Sequence, residues 1–359
     1  MLLLLLLSIL LLTLTHSTAL ITINVRSDGT GNFTSIQSAL DSLSVVEKTG
    51  LVVLNLLGYF HERVHIYSNF TGGVTLLNDH GQIPTDALIT YGVAGSSVGT
   101  FSSYTLLAEA NNVTMSNIAV ANDAFDYNKT LAGQSVALDI RGDFFIADNS
   151  VFWGAQDTIY TGSGRALFRN SFINGSCDSV FGEGSAVFEE CALPIIDTVT
   201  AHRGEQVTPW ESKKSSTSAT GSTPPSIAGY LFLRSILRPL GEAHTFLGRP
   251  WGPYSTTVLI DCELGKGIEP LGWEDWNHGC SNATAPQNRN STWCANVTYA
   301  EFNSTGPGAS PSTRVWWSQQ LTATQAAEWT LTRVFGQWTP PPPVAQKYKW
   351  RAIDFFARH

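Results

Sequence analysis

Charge is scarce in this 359-residue chain, where Asp, Glu, Lys and Arg make up 14% of residues against about 25% in an average domain. What charge there is leans negative. The chain carries 21 Lys and Arg against 29 Asp and Glu, a formal net charge of −8, and no basic run forms the stripe that a nucleic-acid binder needs. Cysteine is sparse too. Cys177, Cys191, Cys262, Cys280 and Cys294 include no Cys-X2-Cys pair, and the one His-X3-His spacing, His61 and His65, lies far from all of them in sequence, which argues against zinc. No carboxylate cluster suggests a calcium cage either, so neither metal nor cofactor is expected.

Long apolar runs are nearly absent. Leu2 to Leu14, broken only by Ser8 and Thr13, is too short for the ~20 residues of a membrane span. It suits a signal-peptide core, although no Lys or Arg precedes it, and the small residues Ser17 and Ala19 place cleavage after Ala19. No second such run exists, and the Phe-Phe-Ala-Arg-His end carries no tail for a lipid anchor. Asn-X-Ser/Thr sequons at Asn32, Asn69, Asn112, Asn128, Asn174, Asn282, Asn290, Asn296 and Asn303 fit a secreted glycoprotein, with Asn174 the one most open to question as too enclosed. A soluble, extracellular, monomeric protein with no membrane partner is expected. If two disulfides form, one of the five thiols stays over; Cys280 and Cys294 bracket a short polar loop and are the expected bridge, worth about 3 kcal/mol.

What the chain has in quantity is apolar and aromatic bulk. Apolar residues reach 43%, with 11 Trp, 18 Phe and 10 Tyr, enough to fill one large β-rich core or two ordinary ones. Ser35 to Leu43 reads as a short amphipathic helix, with Ile36, Leu40 and Leu43 on one face and Thr34 or Ser35 at its N-cap. From Leu51 onward, short apolar runs recur every 8–12 residues between Gly, Asn and Asp, the texture of an all-β domain.

The spacing of polar residues narrows the architecture. Gln134, Gln156 and Asp178 lie 22 residues apart each time, about one coil of a parallel β-helix, whose neighbouring strands are ~4.8 Å apart. Such stacking gathers these three residues and Asp157 into one patch on an extended face suited to a polymer. The early helix would then cover the open end of the coil. Glu211 to Ser226, with Lys213-Lys214 and a Ser/Thr/Gly/Pro-rich run, reads as a long loop that either overhangs the cleft or has no function. Residues 1–19 are expected to be the leader, 20–339 the β-helix domain, and 340–359 a Pro-rich junction and basic tail.

Several segments carry a family resemblance. They are Gly58-Tyr59-Phe60-His61-Glu62-Arg63-Val64, Gly133-Gln134-Ser135-Val136-Ala137-Leu138, Gly154-Ala155-Gln156-Asp157-Thr158-Ile159-Tyr160 and Asp178-Ser179-Val180-Phe181-Gly182. Leu247-Gly248-Arg249-Pro250-Trp251, Pro270-Leu271-Gly272-Trp273, Thr305-Gly306-Pro307-Gly308-Ala309 and Arg314-Val315-Trp316-Trp317-Ser318 follow in order. Together they resemble the pectin methylesterase (pectinesterase) family across nearly the whole chain. The resemblance implies a right-handed parallel β-helix and hydrolysis of C6 methyl esters in pectin at the cell wall. It implies Asp178 as nucleophile, Asp157 as general acid and then base, and Gln134 and Gln156 as oxyanion donors. Arg249 would hold the nucleophile, while Trp251, Phe181 and His202 would contact the sugar. Tyr59 and Glu62 are expected to fix a strand start and turn.

This sequence departs from the family pattern in four places, of which Val180 for Ile is expected to be harmless. Ser179 stands where the family has Phe, so an apolar wall of the sugar pocket is expected to be missing. Cys177 precedes the nucleophile and could offer a thiol or a disulfide with Cys191, and His202 replaces a usual Gln. Two other readings stay open: a non-catalytic pectin-binding β-helix protein, and a pectin depolymerase on the same fold. The first predicts degraded motifs. The second needs an aspartate cluster with Gly-His-Gly, from which Asn277-His278-Gly279 departs.

Overall fold

The computed structural model describes residues 20–124, 133–195, 204–205, 207–209, 229–241, 244–250, 254–275 and 296–343. The leader, the Glu211 to Ser226 loop, Cys280, Cys294, His202, Trp251 and the tail from residue 344 lie outside the described residues.

Short β-branched and aromatic runs separated by turn residues cannot close a sandwich here, because each run finds its partner about one coil away in sequence. Phe145 faces Ala166, and Ala166 faces Ala186. Every described pairing is parallel, and the coil is a right-handed parallel β-helix of three sheets. The first sheet runs from Leu20–Arg26 through Arg165–Arg169, Ser185–Glu189 and Thr298–Phe302 to Gln319–Gln320. The second includes Val151–Trp153 and Phe172–Asn174. The third stacks Val64–Ile66, Leu106–Ala108, Leu138–Ile140, Ile159–Thr161, Val180–Gly182 and Val207–Pro209.

Inside the coil, like residues stack on like. Phe188 lies between Phe168 and Phe232, with centroids 4.9 and 4.6 Å away and planes 12° apart in both pairs. Phe188→Ala should therefore cost about 3–5 kcal/mol, through lost burial and an unfilled gap. Urea unfolding would check this, and a loss below about 1 kcal/mol would show that the stack collapses onto the space. At the corner between the first and second sheets, Asn117, Asn149 and Asn170 take positive φ values of 59, 52 and 47°. Asn tolerates that region better than most residues, and the side chains form a ladder: Asn149 Nδ2 donates to Asn117 Oδ1 at 3.1 Å, and Asn170 Nδ2 to Asn149 Oδ1 at 2.6 Å.

The early helix spans Ile36–Asp41, with Ser35 as N-cap accepting from Ser38 N and with Ile36, Ala39 and Leu40 buried. Glu62 binds its first turn, accepting from Ser35 Oγ at 2.8 Å, Ile36 N at 2.7 Å and Gln37 N at 3.0 Å. Its carboxylate thus satisfies amides that a helix start leaves open. Two further helices, Ala323–Ala327 and Leu331–Phe335, escape a periodicity search because five residues show little more than one turn. They bury Ala326, Val334 and Phe335 against Ile146, Leu167, Val187 and Leu231 on the outer face of the first sheet. Arg165 Nη1 and Arg169 Nη1 tie the segment down, donating to the carbonyls of Phe335 and Pro341 at 3.0 and 2.9 Å. Among the sequon residues, Asn174 is 6% exposed, within a strand.

Candidate functional site

The site grows from a corner at the entry to the third sheet. Asp157 and Asp178 directly precede the chain leading into Ile159–Thr161 and Val180–Gly182, and both have left-handed backbones, with φ of 64 and 47°. Asp accepts this conformation at modest cost. Because the strands they lead into pair Ile159 with Val180, the two carboxylates occupy equivalent places on successive coils.

The stacking matches the 22-residue reading in part. Gln134 bridges to Gln156, as that spacing requires, but Gln156 bridges to Cys177 rather than to Asp178. The third rung is therefore corrected by one residue: Asp178 is the counterpart of Asp157, not of the glutamines. The cause is one extra residue between Gln134 and Leu138, compared with Gln156 to Ile159. Gln134 and Gln156 are both half-buried, and Gln134 O accepts from Gly95 N at 2.7 Å.

Arg249 reaches this corner from 71 positions along the chain. Its Nη2 donates to Asp178 Oδ2 at 2.6 Å and its Nε to Oδ1 at 3.2 Å, the two-pronged arrangement of a guanidinium on a carboxylate. Its backbone is fixed by a bridge between Gly248 and Trp273, a side chain 1% exposed and stacked on Tyr299 at 4.7 Å. Glu274, a residue that sequence reasoning passed over, sits 3.7 Å from Arg249 Nη1. Its only signal was adjacency to the Gly272-Trp273 motif.

The electrostatics of the two aspartates differ. Burial, and next the charge of Asp178, push Asp157 up to about 8, while Arg249 and a hydrogen bond from the Gln156 side chain pull the other way. One carboxyl is thus fastened to a cation, and its neighbour holds a proton at neutral pH. That split is what acid and nucleophile roles require of a carboxylate pair.

Other expected participants are placed differently. Phe181 is 1% exposed, beneath Tyr160 at 5.1 Å and Phe101 at 6.3 Å, so these two rings, not its own, face outward. Tyr160 could have been read from its outward place three residues after Asp157; Phe101 comes from a short turn at Thr100–Ser102 and gave no signal. Ser179 is wholly buried, with its Oγ near Gly175, so the serine itself lines no open surface. Cys177 and Cys191 carry separate thiols rather than a disulfide. Cys191 is 1% exposed, and Arg249 Nη2 lies 3.8 Å from the Cys177 sulfur. No group of three or more potential metal ligands occurs among the described residues.

Comparison with known proteins points one way. A family model described as Pectinesterase matches residues 22–337. Pectinesterase 31 of Arabidopsis thaliana is 27% identical over 313 residues, which cover 83% of this chain and 87% of that protein. Pectinesterase 1 of Solanum lycopersicum is 30% identical over 301 residues, or 82% and 50% of the two chains. Among solved structures, a pectin methylesterase from carrot superimposes with a TM-score of 0.74 at 23% identity, covering 88% of this chain and 94% of that one, a likeness of fold. A pectin methylesterase in complex with a hexasaccharide gives 0.67 at 25% identity, covering 89% and 98%.

Proposed function

Because the chain belongs to the pectinesterase family, we propose that it hydrolyses C6 methyl esters of galacturonate units in pectin, with Asp178 as nucleophile and Asp157 as acid and base. The observation that carries this reading is the unequal carboxylate pair, Asp178 gripped by Arg249 and Asp157 protonated up to about pH 8.

In the first half-reaction, an Asp178 oxygen attacks the ester carbonyl carbon, whose oxygen becomes an oxyanion. The half-buried Gln134 and Gln156 stand beside this corner as amide donors to that charge. Collapse breaks the bond to the methoxy group, and Asp157 gives it a proton, so methanol leaves and an acyl-enzyme anhydride remains. Asp157, now a carboxylate, removes a proton from water as the water attacks the same carbon. The Asp178 carboxylate is released, and Asp157 has its proton back. Phe101 and Tyr160, supported from beneath by Phe181, offer flat faces to the sugars.

Gln156→Ala is expected to lower kcat about 10²–10³-fold with little change in KM, since an oxyanion donor acts mainly in the transition state. Equal loss in KM and none in kcat would return Gln156 to a ground-state contact. The whole reading is tested by methanol release from highly esterified pectin, with viscosity and unsaturated ends followed alongside. Methanol without chain cleavage supports it; cleavage, or binding without methanol, overturns it. Secretion to the cell wall as a monomer belongs to the same reading. The apolar leader and the sequons support the secretion part of it.

A further inference from the structure

Beside the reacting corner, the outer face of the third sheet holds a groove of about 460 Å³ lined by Phe101, Arg141, Tyr160, Gly162, Ser163 and Glu183. Its shape follows from the coil register. Ile140 pairs with Thr161 and Thr161 with Gly182, so the next residues, Arg141, Gly162 and Glu183, stand level on three successive coils. Gly162 has no side chain and leaves a hollow between its larger neighbours. A Cβ there would come within 2.7 Å of Ile140 O.

The two walls of the hollow are not electrically equal. Arg141 is committed elsewhere: its Nε and Nη2 donate to Asp139, the latter at 2.8 Å, and its Nη1 lies 3.9 Å from Glu109. Asp139 is fully buried, and Glu109 is also 2.8 Å from His65 Nε2. Glu183 has no cation partner among the described residues, and its charge acts on Tyr160 instead, whose hydroxyl burial and then Glu183 push up to about 12. Around the hollow, therefore, Asp139 and Glu109 are already engaged by Arg141 and His65, and Glu183 is the acid that no cation faces among the described residues. A carboxylate in this setting accepts sugar hydroxyls readily and repels another carboxylate.

We propose that Glu183 makes this groove select a methyl-esterified galacturonate unit and reject one whose carboxyl is already free. The inference rests on the pectin reading above and adds a specificity-determining residue to it. Glu183 lies five positions after Asp178, a reach of at most about 18 Å, so the unit in the groove is a near neighbour of the unit being hydrolysed. Each product carboxylate that slides into the groove meets Glu183, and the enzyme leaves rather than advancing. De-esterification is scattered rather than in blocks, and the −8 net charge of the chain acts in the same direction.

The test is calorimetric binding of a methyl-esterified and an unesterified galacturonate hexamer to the Asp178→Ala chain, with and without Glu183→Gln, at low and high salt. The esterified hexamer should bind about tenfold more tightly at low salt. High salt should shrink that ratio, and Glu183→Gln should reduce it several-fold at low salt while the esterified hexamer still binds. Equal or tighter binding of the free acid, a ratio insensitive to salt and to Glu183→Gln, or no binding of either hexamer would overturn the proposal. Methanol release by the unmodified chain reports separately on the reaction. Discrimination without methanol would remove the esterase reading and leave the selectivity standing.

Discussion

Asp178→Ala is expected to lower methanol release from esterified pectin by at least about 10⁴-fold, because no other described group can form the acyl-enzyme in its place. The same substitution acts on stability through a different route. Arg249 is 15% exposed at its side chain and loses both of its short bonds to the carboxylate, keeping Glu274 at 3.7 Å. Breaking a buried pair from one side typically costs about 3–5 kcal/mol, and the remaining acid softens this toward the lower end. A rival reading makes the Asp178–Arg249 pair architectural only. It predicts the stability loss without the rate loss. Thermal unfolding of Asp178→Ala beside its methanol assay separates the two, and a folded variant retaining more than about 1% of the rate would sink the nucleophile assignment.

Asp157→Asn should move activity and stability in opposite directions. Removing the proton donor is expected to cost about 10²–10⁴-fold in rate. For stability, the sign follows from where the proton binds. Asp157 is raised from 3.8 to about 8 in the folded chain, so the folded state holds a proton that the unfolded state has released across that window. The stability it contributes is complete below pH 3.8 and is lost as pH climbs toward 8. The isosteric amide carries no such loss. Asp157→Asn should therefore match the parent below about pH 4 and exceed it progressively above, by up to roughly 4 kcal/mol at pH 7 at 1.36 kcal/mol per unit. Melting temperatures from pH 4 to 8 decide this: parallel curves would mean that Asp157 is not protonated in the folded chain. The parent's rate should also decline above about pH 8, as the acid is lost.

The coil was legible because stacking imposes a nearly constant interval on polar residues, and the Gln134 to Gln156 bridge kept it. The rung at Asp178 was misread because a one-residue excess in a single coil leaves no mark on composition or alternation. Arg249 was out of reach of any interval, since it enters from a distant loop; only the resemblance of its motif placed it. Burial was harder still. Phe181 and Ser179 look alike in sequence to residues lining a pocket, yet Phe181 is covered by Tyr160 and Phe101 and Ser179 is wholly buried. The C-terminal helices were hidden by their brevity, although Ala326, Val334 and Phe335 pack on the outer face of the first sheet.

The extra residue between Gln134 and Leu138 also bears on how such a chain tolerates change. In a stacked coil, deleting one residue between Gln156 and Cys177 would rotate every later side chain at that corner relative to the one beneath it, however mild the deleted residue's chemistry. A substitution at the same place disturbs one rung. Length within the coils is therefore held more tightly than identity, and growth of the chain is confined to the connections that leave the stack. An insertion within Val207–Pro209, which stacks on Val180–Gly182 just past Asp178, should accordingly displace that corner, where a mild substitution should not.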